Sequence, residues 1–321
     1  MAKSNKYIRA ILNRRKQYIE LTLDQKQEII NIYTAAGQEI KSRLTKAKKG
    51  SLNERYLKEM DKSISEYIEQ LNIELDKSIR RYMQKAADLG VDEPSSYFED
   101  MKIPMEVKQT FKSMFTNISD STVKLLVSGG YYKDGKTLSS RIWNISKGSG
   151  KEIETIINIA IAEQKSTNEL AKDLEKYIID GVGTRQKTKI PGISSDICYE
   201  AVRLARTSIA HSYIESSVQG GMNNPYCLGL KWNRSSEHSA RLARFGKTRD
   251  ICDDYAEDDK YDLGAGVYPP KYYPIGHPNC LCYSTNVLVD IEIAESEIID
   301  WINGSTNKKL DAWARRNGFT I

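Results

Sequence analysis

The chain has 321 residues, with 48 Lys and Arg against 43 Asp and Glu, and 40% of it is hydrophobic. That length suits about two domains, and the composition excludes wholesale disorder, a collagen repeat or a disulfide mini-scaffold. No run approaches the roughly 18 apolar residues that a membrane-spanning helix needs, so no membrane partner is expected. The polar, basic first 20 residues lack the apolar core of a secretion signal, so synthesis in the cytoplasm is expected.

The net charge of +5 is too small for a dedicated DNA-binding domain, but it is unevenly spread. Residues 1–50 carry twelve Lys and Arg and only four Asp and Glu. Such an arm can touch nucleic acid or an acidic protein face through a salt-sensitive attraction. Lys46, Lys48 and Lys49 are its candidate contacts. A solvated helix face has the same pattern.

Residues 1–180 read as almost purely helical. Ser51 to Glu54 forms a capping box, with the Ser51 hydroxyl on the Glu54 N–H and the carboxylate reaching back. Leu57, Met60, Ile64, Tyr67, Leu71, Leu75, Ile79 and Met83 then recur at helical spacing. This predicts a helix of about 35–38 residues ended by Gly90, roughly 55 Å long, with 24–48 as its antiparallel mate. A break is expected over 90–104, where two prolines fall, and a helix over 106–126. A loop follows at 128–135, a short helix at 138–145, a turn around Gly148 and Gly150, and a helix over 152–163. Residues 166–169 can cap a further helix carrying Leu170, Leu174 and Tyr177. Residues 181–194 read as an exposed linker.

A helix from Ser195 or Asp196 to about Val218 opens the second half, ended by Gly220 and Gly221. Composition then changes, because five of the eight prolines lie in 225–278. Residues 227–233 and 280–289 alternate like strands that can pair. Two short helices, 291–302 and 307–316, close the chain. The expected architecture is therefore mostly α. A helical N-terminal region with long antiparallel helices, 1–180, precedes a small α+β C-terminal domain, 181–321, with a short antiparallel sheet.

The chemistry concentrates in that second region. Five cysteines, an odd number without a secretion signal, argue against a disulfide framework. Three of them, Cys252, Cys280 and Cys282, fall within 31 residues, and His277 stands three residues before Cys280. Zinc takes four thiolate or imidazole ligands at tetrahedral positions. Cys280 and Cys282 would share one strand face, with His277 aimed by the turn at Pro278 and Cys252 as the fourth ligand. The paired C-x-x-C knuckles of a zinc ribbon are missing, and buried, inert cysteines in a loop-rich subdomain fit the same spacing. The acidic run Asp253, Asp254, Glu257, Asp258, Asp259 and Asp262 reads as a solvated loop. His211 reads as a packing or surface residue, and His238, among Ser235, Ser236 and Glu237, as solvated. Phosphate-loop, dinucleotide, H-E-x-x-H and G-x-S-x-G motifs are absent from the sequence.

Four segments in order carry a resemblance. They are the helix with Leu204, Ala205, Arg206, Thr207, Ala210 and Tyr213; the strand ending Lys231, Trp232, Asn233; the loop Arg249, Asp250, Ile251, Cys252; and, after Pro269 and Pro270, the run from His277 to Cys282. Over about residues 150–290 the chain resembles the phage Mu F-like head morphogenesis, or minor capsid, proteins. That family typically shows an Arg-Thr-Glu helix, a Trp strand, a C-x-x-C loop and a final His-Pro-Asn-Cys-Arg-Cys. Ser208, Tyr255 and Leu281 stand here where the family has Glu, Cys and Arg. With Tyr255 in place of a cysteine, the metal set that remains is Cys252, His277, Cys280 and Cys282.

The resemblance implies a non-enzymatic virion protein, made in the host cytoplasm and carried in the head interior. It would associate with the portal or other head components and act in DNA packaging or ejection. Arg206 and Trp232 would be structural, Arg206 bridging toward Asp250 and Trp232 filling a core. Two other functions fit the sequence: a metal-dependent hydrolase or nuclease using the Cys/His cluster, and a basic DNA-binding module.

Overall fold

Helical periodicity governs most of the chain, and a short sheet is confined to the C-terminal region. The computed structural model describes residues 4–46, 54–163, 165, 169–170, 172–174, 198–244 and 246–319. Among these are ten α-helices: α1 (Ser4–Lys46), α2 (Glu54–Glu99), α3 (Met105–Ser113), α4 (Ile118–Ser128), α5 (Leu138–Ala162), α6 (Tyr199–Asn223), α7 (His238–Arg244), α8 (Ile251–Glu257), α9 (Ile291–Ile302) and α10 (Lys308–Arg316). Three strands, β1 (Cys227–Asn233), β2 (Val267–Tyr268) and β3 (Tyr283–Leu288), form an antiparallel sheet in the order β2-β1-β3. The protein is therefore mostly α with a small antiparallel sheet, as the periodicity predicts. The expected pairing of β1 with β3 is present, with Trp232 opposite Ser284 and Leu230 opposite Asn286. The two-residue strand β2 lies outside the segments that alternate in the sequence.

The helices are longer than their punctuation suggests. Gly90 does not end α2, which continues through Pro94 to Glu99. Gly90 instead permits close approach: a Cβ there would sit 2.3 Å from the carbonyl oxygen of Tyr213 in α6. Gly220 serves the same contact, since its Cβ would lie 2.8 Å from Pro94 Cγ, and α6 runs past both expected stops to Asn223. Gly150 lies inside α5, where a Cβ would meet the Ile68 side chain at 2.4 Å. The helix expected over 106–126 is divided into α3 and α4. The Ser51 cap, Tyr177 and the expected linker 181–194 lie outside the described residues.

The chain divides into two compact units, each made from separated segments: 1–21, 82–126 and 207–321 in one, and 22–81 and 127–206 in the other. In the second unit, α1 and α2 run antiparallel. Glu28 pairs with Arg81 and Arg43 with Glu66, so one index falls as the other rises. Ile29, Tyr33, Leu71, Leu75, Ile142 and Ile153 are buried there. In the first unit, Phe98, Phe111 and Trp313 stack in series, with centroid separations of 4.4 and 4.2 Å. Asn307 caps α10 by accepting from the N–H groups of Lys309 and Leu310. This unit also contains the sheet and every Cys/His residue discussed next.

Candidate metal centre

Local folding rules place Cys252. Asp250 is the N-cap of α8: its Oδ1 accepts from Cys252 N–H at 2.9 Å, while Asp253 Oδ2 accepts from Asp250 N–H at 2.9 Å. This reciprocal cap fixes the first helical turn and turns the Cys252 side chain into the core, where it is fully buried. Cys280 and Cys282 lie just before β3, not within it, so the argument from a shared strand face does not apply to them.

Contacts from two helices hold their segment instead. Thr207 Oγ1, on α6, accepts from Asn279 N–H at 2.9 Å, and one turn later His211 Nε2 lies 3.0 Å from Gly276 O. From α1, Arg15 Nη2 donates to Leu281 O at 3.2 Å, and its guanidinium lies 3.8 Å from the centre of the Tyr283 ring. Asn279 itself adopts a left-handed backbone, φ 64°, a conformation that asparagine tolerates better than most residues.

These constraints bring the three sulfurs together. Cys252 and Cys280 have Sγ atoms 3.5 Å apart, and Cys282 N–H donates to Cys280 Sγ at 3.3 Å. All three are free thiols, at most 2% exposed, packed with Trp232 and Tyr268. Tetrahedral zinc with bonds of about 2.3 Å sets its sulfur ligands about 3.8 Å apart, close to the Cys252–Cys280 separation. Hydrogen bonds from Cys252 and Cys280 hold the Cys282 thiol far below its ordinary range, despite burial. Contacts with Cys280 and Cys282 push the Cys252 thiol far up. One thiolate therefore forms readily, and the other two protons must leave before all three sulfurs can ligate a cation.

Two histidines border the trio. His277 supplies a nitrogen within 4.8 Å of the Cys252 and Cys280 sulfurs, and His238 one within 4.8 Å of those of Cys252 and Cys282. His238, read from sequence as solvated, is 5% exposed and begins α7. Its Nε2 lies 3.0 Å from Asp253 Oδ2. Asp253 is not part of a solvated loop either. It is buried, and Arg234 Nη1 donates to its other oxygen at 2.7 Å. Burial pushes its carboxyl up, but the Asp250 N–H, His238 and Arg234 prevail and hold it well below the usual carboxylate range.

The structure thus brings Cys252, His277, Cys280 and Cys282 into one neighbourhood and adds His238, Asp250 and Asp253 to it. Trp232 is buried against the cysteines, with its ring 5.0 Å from that of Tyr255. Asp250, the residue near which Arg206 was expected to bridge, pairs with Arg241. Lys46 ends α1, and Lys48 and Lys49 lie outside the described residues. Among the described residues, no helix is long and apolar enough to cross a membrane.

One signal for His238 was available in the sequence. The chain has only three histidines, and each lies at this centre or on the segment that builds it. No protein-family model, curated protein or solved structure matches the chain.

Proposed function

We propose that the protein is a phage minor head (capsid) component of the Mu F-like type. It acts in head morphogenesis by contact with the portal or other head proteins, not by catalysis. Its Cys/His centre is a zinc staple held by Cys252, Cys280, Cys282 and a histidine. The observation that supports this reading is convergence. Segments distant in sequence, namely α6 with Thr207, β1 with Trp232, the Cys252 turn and the run 277–282, meet around one buried cluster. These segments carry the resemblance.

The burial of the three sulfurs supports a structural role over a hydrolytic one. Catalytic zinc keeps an open position for water, whereas structural zinc is enclosed by protein ligands. DNA contact through the basic N-terminal arm, during packaging or ejection, belongs to the same proposal. The test is cross-linking followed by mass spectrometry on assembling heads. The proposal expects the chain in purified heads, with cross-links to the portal. A chain absent from heads that form normally would overturn it.

A further inference from the structure

We infer that His238, through Nδ1, is the fourth ligand of a divalent metal ion held by Cys252, Cys280 and Cys282, and that His277 stands outside the coordination shell. This rests on the metal-centre reading above and assigns what that reading leaves open. Each histidine has a nitrogen near two of the sulfurs, so proximity alone does not choose between them.

Hydrogen bonding does. His277 has both nitrogens engaged. Nδ1 lies 2.8 Å from Pro278 O, which makes it the protonated nitrogen, and Nε2 lies 3.3 Å from the Arg241 guanidinium, which donates to its lone pair. No lone pair remains for a metal. His238 is arranged differently. Its Nε2 lies 3.0 Å from the Asp253 carboxylate, which places the proton there, while Nδ1 is buried and has no hydrogen-bond partner. A buried lone pair left unsatisfied is costly, and a cation among the neighbouring sulfurs would satisfy it.

The carboxylate–imidazole–metal relay is the usual outer shell of a histidine ligand, fixing tautomer and ring orientation. Asp253 is itself fixed by the α8 cap and Arg234. Binding then releases the two protons that remain on Cys252 and Cys280, and His238 keeps its proton on Nε2. His277, Arg241 and Asp250 form a separate polar latch beside the centre.

The test uses the full chain and cobalt(II), whose sulfur-to-metal absorption counts thiolates and whose visible bands report tetrahedral geometry. The native chain should take up one equivalent with a three-thiolate spectrum. His277→Ala should bind like the native chain, and His238→Ala should bind at least tenfold more weakly. His238→Cys keeps the variant in a folded, metal-bound form. A ligand at Nδ1 sits close to its own backbone, as a cysteine sulfur does, so the absorption should rise in proportion from three thiolates to four. Long-range 1H–15N spectra of the zinc-loaded chain should show His238 protonated on Nε2 and metallated on Nδ1. Loss of binding in His277→Ala with native binding in His238→Ala would overturn the assignment while leaving the metal centre standing. So would an unchanged spectrum in His238→Cys. A native chain that takes up no cobalt would overturn both.

Discussion

Substituting Gly90 by alanine tests how α2 and α6 meet within the first unit. In a free helix this change stabilises by about 0.5–1 kcal/mol, because alanine loses less conformational entropy. At Gly90 the added methyl would land 2.3 Å from the Tyr213 carbonyl oxygen and 3.1 Å from its carbon. Both are backbone atoms of α6 and cannot rotate aside. Carbon contacts settle near 3.5 Å, so the helices must part by roughly 1 Å. Overpacking of that kind costs about 1–3 kcal/mol, which outweighs the propensity gain. Less the propensity gain, the net loss is about 0.5–2 kcal/mol; for a unit of this size each kcal/mol moves the melting temperature by about 2–4 °C, so Gly90→Ala should lower it by roughly 1–8 °C. Gly148 supplies the control: it lies inside α5, and its added Cβ meets nothing within 4 Å. Gly148→Ala should raise the melting temperature by a degree or more. Calorimetry on the two full-length variants reads both signs. If Gly90→Ala stabilised the protein as Gly148→Ala does, the close approach of α2 and α6 would be wrong.

The remaining expectations concern single groups. Thr207→Val keeps the side-chain shape but leaves Asn279 N–H without this acceptor, and should cost about 1–2 kcal/mol in a denaturant titration. An undiminished midpoint would show that Thr207 does not anchor the segment 276–282. Asn307→Ala removes the α10 cap and should cost about 1 kcal/mol, read the same way. Burial pushes the Cys227 thiol up to about 12. Its alkylation by iodoacetamide, followed by peptide mass spectrometry, should keep rising about tenfold per pH unit from 7 to 10. A plateau near pH 8.5, as in an unfolded peptide, would contradict its burial.

What could be read from the sequence follows from the range of each cause. The alternation of 227–233 and the patterns that mark helices over 291–302 and 307–316 are local, and each element forms where its own residues place it. Glycine is ambiguous at that range. A helix stop and a close helix contact both require a missing side chain, and only the partner distinguishes them. Tyr213 opposite Gly90 lies more than a hundred residues away, so glycine spacing alone predicts helices shorter than those that form. His238 failed for a related reason. Its polar neighbours predict solvent, whereas burial comes from α8, the capping pair Asp250 and Asp253, and Arg234. The cysteines were legible because thiols clustered near a histidine carry a chemical meaning before any fold is known.

The zinc content of the full chain, purified without chelator, tests the central claim most directly. One zinc per chain is predicted, absent from Cys280→Ser, with a lower melting temperature for that variant or for native protein treated with a chelator. A native chain free of metal, with Cys252, Cys280 and Cys282 intact and stability unmoved by zinc, would contradict the account.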